Sequence, residues 1–409
     1  LVFMAFTFQS SARGQLEQMV LDDRFKLLTQ LPLFAPMEIG LGLFAYLLFF
    51  GSTWLYLGGS LHVAGMLLIN GFAIYLSFTP LHDATHRTVS RHRGVNDAVG
   101  TVCCLLLLPG ITTRVYRYLH LEHHRYAGNL SKDPDEPFVS APNWALPFVL
   151  AGLDVLWVTW YVKHWYSRPN GERLEFLFGI VFYLSVHLGF LLSPYALEFL
   201  LCFVIPQRLG LFYVSWFFAH IQHVEGVEWE MAPLQTTYKI QAGWLSNLLM
   251  MGQATHCIHH LAPSVPYYRY HLAWAIGKQI FEAEIPTRNL WRGSQSESAL
   301  SLGQMEEISD PEQSAPVVVL NRAFQAEISS TGDVLEVAAD QSLIDVLHEH
   351  GYPVMCSCTQ GVCGSCLTPV LDGEPEHRDV ILSEKDKARN DYMTVCVSRA
   401  KGDRLVLDL

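Results

Sequence analysis

The sequence predicts an α-helical integral membrane domain followed by a soluble α+β domain, and three features carry that expectation. Hydrophobic residues make up 50% of the 409-residue chain and charged residues 16%, where soluble domains carry about a quarter. The polar residues are unevenly spread. Up to Trp291 the chain is a series of long apolar runs, and beyond it the composition is that of a soluble protein. Histidines gather at the ends of the apolar runs, whereas five of the nine cysteines lie in the polar part, four of them with a metal-site spacing.

Residues 1–33 are expected to be an N-terminal cytoplasmic segment; Arg13, Glu17, Asp22, Asp23, Arg24 and Lys26 do not suit a cleavable signal peptide. The membrane domain should cover residues 34–292. Within it, the runs 34–57 and 61–80 can each cross roughly 30 Å of hydrocarbon at about 1.5 Å per residue, and Gly58-Gly59-Ser60 makes them a hairpin. A second hairpin joins the runs 174–193 and 196–219 through Ser193-Pro194-Tyr195. The run 98–111 is too short to span and should dip in and return. The run 144–162 could cross, but a single crossing would strand the later histidines on the wrong face, so it should be interfacial or re-entrant. Loops bearing Arg87, Arg91, Arg93, Lys163, Arg168 and Arg173 share the histidine face, which the positive-inside rule makes cytoplasmic. The expectation is two transmembrane hairpins, four spans, in a bacterial inner membrane, with both termini and the histidines cytoplasmic. Trp54, Trp160 and Tyr161 read as an aromatic belt.

Residues 293–316 turn polar and acidic, cannot bury enough apolar surface to fold alone, and read as a linker. Residues 317–409 should form the second domain, with strands at 317–320 and Phe324–Ile328 and a helix opened by Ser342 and closed at Gly351.

Of the 18 histidines, more than half fall in short groups: His82-Asp83-Ala84-Thr85-His86, His120-Leu121-Glu122-His123-His124 and His256-Cys257-Ile258-His259-His260, with His220 and His223 between the second and third. Spacings of three and four put imidazoles on one helix face. One such pair is weak as a signal, but ionisable groups beside hydrocarbon are costly and mark function, and three in matching orientation compound that. Imidazole suits iron, copper and zinc alike. The number of histidines exceeds what one four-coordinate zinc can use, so two metals are implied. His62, His164, His187 and His271 are unclustered and read as hydrogen-bonded structural residues; Asp83, Glu122 and Glu225 read as groups orienting the imidazoles.

The series HDATH, HLEHH and HCIHH with two apolar hairpins resembles the membrane fatty acid desaturase superfamily, which includes acyl desaturases, alkane hydroxylases and carotenoid hydroxylases and ketolases. The resemblance implies two non-haem irons held by His82, His86, His120, His123, His124, His256, His259 and His260. It adds His223, because Ile221-Gln222-His223-Val224-Glu225-Gly226 is similar to the alkane hydroxylase pattern. Asp133-Pro134-Asp135 is closer to ketolases, whereas the stretch from His260 to Pro266 resembles bacterial desaturases.

In the polar part, Cys358, Cys363 and Cys366 have the C-x4-C-x2-C spacing of a plant-type [2Fe-2S] cluster, with Cys396 as fourth ligand. Zinc ribbons prefer paired C-x2-C knuckles, which this segment lacks. Cys356 lies outside the spacing. Residues 317–409 resemble a β-grasp ferredoxin, especially that of phthalate-dioxygenase-type reductases.

Together these readings imply an O2-dependent desaturase or hydroxylase of a long-chain alkyl substrate drawn from the lipid bilayer, reduced through its own [2Fe-2S] domain by a separate flavin reductase using NAD(P)H. Carotenoid or terpenoid oxidation and fatty acid decarboxylation are the alternatives within this chemistry, and a histidine-lined metal transporter the alternative outside it. The net charge of −12 argues against nucleic acid.

Overall fold

The computed structural model describes Met19 and residues 22–30, 32–108, 110–229, 231–290 and 321–409, except 353, 355, 357, 358, 360, 362, 363, 365, 380, 381 and 383. The linker 293–316, the run 317–320, and Cys358 and Cys363 lie outside the described residues.

Among the described residues, four helices are long and apolar enough to cross a membrane: Pro36–Leu57, Val63–Thr85, Asn170–Leu191 and Ala196–His220. The first hairpin turns at Gly59, whose φ of 75° is left-handed and open to glycine at no cost, and His62 caps the second span by accepting from the Ala64 N–H at 3.2 Å. The second and fourth spans pack backbone to backbone through small residues. A Cβ on Gly210 would lie 2.5 Å from Ile74 Cγ2. Between the spans, buried Asn70 donates to Cys202 O at 2.8 Å and to Thr53 Oγ1 at 2.9 Å, joining the first, second and fourth spans in one polar clasp.

The second span outruns the expected end at residue 80. Pro80 removes one backbone donor, yet the chain yields only a break at Ser77, whose hydroxyl donates to Ile74 O at 2.7 Å, and helix resumes over Phe78–Thr85. The first histidine pair is thereby carried on the last turn of a span. The run 98–111 becomes the helix Arg93–Leu107, which buries Asn96, Gly100, Cys103, Cys104 and Leu107. The run 144–162 breaks at Gly152 into Leu146–Ala151 and Leu153–Lys163, of 6 and 11 residues, each well below spanning length.

The aromatic-belt reading fails for Tyr161. Its ring is fully buried against Phe176, and its hydroxyl donates to Glu172 Oε1 at 3.0 Å. Glu172 also receives both arms of buried Arg168 at 2.9 Å, so Tyr161 belongs to a polar network that a periodicity argument does not reveal. Trp54, by contrast, is 75% exposed among the apolar faces of its span.

Two short parallel strands, β1 (Lys239–Gln241) and β2 (Thr287–Asn289), close the helical domain. The second domain contains β3 (Phe324–Ile328), β4 (Val334–Val337), β5 (Leu367–Asp372), β6 (Pro375–Glu376), β7 (Tyr392–Thr394), β8 (Arg399–Ala400) and β9 (Arg404–Leu407). The main sheet runs β4-β3-β9-β5-β7, with β3 and β9 parallel and the other pairs antiparallel. The helix Leu343–Glu349 packs against it, burying Leu343, Ile344, Val346 and Leu347 with Phe324, Val337 and Leu405. Its start is the expected one, with the Ser342 hydroxyl accepting from Asp345 N at 3.2 Å.

Candidate metal centre

The first histidine pair and His223 sit at the ends of spans, and the other groups sit on shorter helices. His82 and His86 end the second span; His120, His123 and His124 lie on the helix Thr113–Tyr126; His223 comes after the π-helical last turn, Ser215–His220, of the fourth span; and His256, His259 and His260 form the short helix His256–Leu261. A π turn widens the helix and re-aims the residues beyond it, a device common at functional sites.

These elements bring all nine histidines together, every one at most 6% exposed. Two groups have ligand atoms within 4.8 Å of one another: His82, His86, His120 and His259 in the first, and His123, His223 and His260 in the second. Metal–imidazole bonds of about 2 Å give ligand separations of that order. His124 bridges toward the first group, with its Nε2 2.7 Å from that of His259. His256 stands beside both groups, its ring centroid 5.0 Å from those of His259 and His260. His220 turns away, its Nδ1 donating to Phe138 O at 2.9 Å.

The outward nitrogens are anchored, which aims the inward ones. Nδ1–H of His123 donates to Asp133 Oδ1 at 2.9 Å, that of His223 to Ala219 O at 2.9 Å, that of His256 to Gln253 Oε1 at 3.0 Å and that of His82 to Asp83 Oδ1 at 3.3 Å. The Tyr270 hydroxyl meets His259 Nδ1 at 3.0 Å. Each bond leaves the Nε2 lone pair facing other imidazoles, as metal-binding histidines require. His86 has both ring nitrogens buried without a hydrogen bond, and His124 likewise its Nδ1; such orphaned acceptors fit a metal better than a packed core. Burial, reinforced by neighbouring histidines, pushes the imidazoles of His256, His259 and His260 well below their ordinary pKa, so they are neutral, the form in which imidazole binds a metal. His123 is also buried, but the carboxylates of Asp133 and Asp135 overcome that and raise it to about 9. Positive charge is favoured at that position.

Asp133, Gln253 and Tyr270 were not legible as orienting groups in the sequence. Asp133 had a signal in the Asp133-Pro134-Asp135 turn just past the second histidine group; Tyr270 had none. Of the carboxylates expected to orient histidines, Asp83 does so, whereas Glu122 lines a different cleft, with Arg125, His348 and Tyr352.

Beside the histidines, Phe78, Tyr116, Phe138, Trp157 and Phe218 line a small cavity, with room for little more than one water molecule, that also meets His82, His120, His123 and His256. Phe78 and Tyr116 each stand four residues, about one helical turn, before a histidine on the same helix. Trp157 Nε1–H holds Asp135 at 2.7 Å.

In the second domain, Cys366 and Cys396 are buried with their Sγ atoms 3.1 Å apart. Gly361 has a φ of 71°, and a Cβ there would lie 2.7 Å from Val397 Cγ2, so the loop between the cysteines can pass only as glycine. Cys356 is buried.

Residues 33–291 match the fatty acid desaturase family, and residues 326–401 match the 2Fe-2S iron-sulfur cluster binding domain. Similarity to curated proteins lies in short stretches. Over 87 residues the chain is 54% identical to a vanillate O-demethylase oxidoreductase of Pseudomonas sp. (strain HR199 / DSM 7063), covering 21% of this chain and 27% of that one. Over 86 residues it is 52% identical to the tert-butanol monooxygenase / tert-amyl alcohol desaturase reductase subunit of Aquincola tertiaricarbonis, covering 21% and 25%. Among solved structures, phthalate dioxygenase reductase is 38% identical over 24% of this chain and 29% of its own, with a TM-score of 0.22. The chain thus spans only about a quarter of the length of these curated relatives. With a family match over most of its length, the chain belongs to the fatty acid desaturase family and carries a 2Fe-2S ferredoxin domain behind the desaturase domain.

Proposed function

We propose that the chain is an O2-dependent di-iron oxidoreductase that desaturates or hydroxylates a long-chain, fatty acyl-type substrate, drawing electrons through its 2Fe-2S domain from a separate NAD(P)H-dependent flavin reductase. The observation that carries this reading is the pair of buried histidine groups with inward nitrogens, beside an aromatic cavity. Iron bound by His82, His86, His120, His123, His124, His223, His256, His259 and His260 would supply dioxygen activation and hydrogen abstraction from an unactivated C–H bond.

The protein's residues do the rest. Phe78, Tyr116, Trp157 and Phe218 form an apolar aromatic wall beside the histidines that would part to admit an alkyl segment and exclude water around it. Asp133, Gln253 and Tyr270 fix the ring orientations. Desaturation removes two hydrogens from adjacent carbons and, with one O2, two electrons and two protons, yields two waters. Hydroxylation under the same input yields an alcohol and one water. The name of the Aquincola tertiaricarbonis relative joins monooxygenation with desaturation, and the names of the ferredoxin-matching relatives as oxidoreductases or reductase subunits support a flavin reductase upstream.

The test is profiling of lipids from cells that express the chain with a ferredoxin reductase under ¹⁸O2, beside a His259→Ala control. New double bonds or ¹⁸O-labelled alcohols that vanish in the control support the reading. Unchanged lipids, with the protein loaded with iron and reducible, would refute it.

A further inference from the structure

The helix Thr113–Tyr126 touches three things in succession. Tyr116 lines the cavity, then His120, His123 and His124 face the metal groups, and the next residue, Arg125, reaches the ferredoxin domain. Arg125 Nη1 donates to His348 Nδ1 at 2.7 Å, and its Nη2 pairs with Asp345 Oδ1. Both partners lie on the ferredoxin helix Leu343–Glu349. The His348 ring is fixed from its other side, Nε2–H donating to Val354 O at 2.8 Å. Val354 stands shortly before the cluster cysteine Cys358. One imidazole therefore joins the approach to the cluster loop with the residue next to a metal histidine.

Two further features favour this face. Arg87, Arg93, Arg114 and Arg117, four cations against the two carboxylates of Asp97 and Glu172, line a second cleft facing Val354 and Leu409 of the ferredoxin domain. Within residues 317–409, 15 Asp and Glu outnumber 8 Lys and Arg, so the approaching partner is acidic and the receiving surface basic.

We propose that this contact, with the ferredoxin helix Leu343–Glu349 seated on Arg125, is the docked state in which the cluster reduces the metal centre, the electron arriving on the His123–His124 side. The inference rests on the di-iron reading. Each passage oxidises the cluster by one electron and reduces one iron by one electron. Two passages per turnover are supplied by one hydride from NAD(P)H, which the reductase flavin divides into single electrons. The cavity is lined by Tyr116 near the start of this helix and the docking contact is made by Arg125 near its end, with no lining residue in common, so substrate and reductant do not compete for the same contacts.

The test uses the full-length chain in lipid nanodiscs with three variants: Arg125→Glu, Asp345→Arg and the two combined. Two quantities are read in each: hydrogen exchange of residues 343–352 and 118–126, and the rate at which the EPR signal of the reduced cluster disappears after mixing with O2. Each single variant should lose exchange protection and reoxidise its cluster at least tenfold more slowly. The combined variant, which restores the pair with reversed sign, should recover both. Iron content should match the parent throughout, separating docking from metal loading. Single variants with parental exchange and parental reoxidation would overturn the docked state. A combined variant no better than either single would also overturn it. If the parent's membrane domain held no iron, the di-iron reading would fall, and the exchange data would still decide whether the two domains dock through Arg125.

Discussion

Asp133→Asn probes how the protein aims its histidines. In the parent, Asp133 Oδ1 accepts from His123 Nδ1 at 2.9 Å and from Asp135 N at 2.8 Å, while Oδ2 accepts from Gly128 N at 2.9 Å. An asparagine of the same shape must turn its amide N–H2 toward one of these donors, because all three partners are N–H groups. Turned toward Gly128, the amide leaves one donor without an acceptor; turned the other way it leaves two, His123 and Asp135 N. In either orientation His123 loses the carboxylate that favours positive charge at its ring. A hydrogen bond to a charged group contributes about 1.5–3 kcal/mol, in line with the roughly 10–100-fold loss of metal affinity seen when such orienting partners are removed. The assay is iron retained after equilibration against graded chelator, with the circular dichroism of the protein as a check on folding. The variant should release its iron at about 10–100-fold less chelator. A release curve that overlays the parent's would refute the claim that Asp133 orients a ligand.

Gly179→Ala should lower the melting temperature in detergent, because its Cβ would fall 2.1 Å from Gly110 O where the third span crosses the loop before the second histidine helix; overpacking of this kind costs about 1–3 kcal/mol, and an unchanged melting point would contradict that close approach. Burial, with the Arg125 and Arg168 cations adding to it against Asp345, lowers His348 to about 4, below its ordinary 6.5. Protonation therefore opposes the docked state, whose stability is complete above about pH 6.5 and declines as pH falls toward about 4, by at most about 3 kcal/mol. Exchange protection of residues 343–349 measured across that range should decline in step, and a flat profile would count against the contact. Cys363→Ser should abolish turnover driven by NAD(P)H and reductase while leaving iron in the membrane domain; undiminished turnover would show that another carrier feeds the metals.

The two hairpins were legible because hydrocarbon demands about twenty apolar residues and little else. The histidine boxes were legible because helical spacing shows in sequence order. What escaped was set by tertiary contacts. The run 144–162 was kept out of the spans by the common face the histidines require, as its two short helices bear out, but its break at Gly152 did not show in composition. Tyr161 has the position of a belt residue, but a buried Arg168–Glu172 pair recruits its hydroxyl. The orienting partners Gln253 and Tyr270 are ordinary residues in sequence, identifiable only once folding sets them beside His256 and His259. Asp133 illustrates a middle case: an Asp-Pro-Asp turn announces a rigid loop, but not that its first carboxylate will reach back to a histidine ten residues before it.

The central claim is that the nine buried histidines hold two irons. Its most direct measurement is the metal content of the purified chain and of its Cys363→Ser variant, joined to Mössbauer spectra of both. The account predicts that the parent binds two irons in the membrane domain in addition to the two of its cluster. In the variant the cluster signal should disappear, while a pair of nitrogen-ligated, non-haem irons remains. Stoichiometric zinc or copper in the membrane domain, or iron there at one atom or fewer per chain, would contradict it.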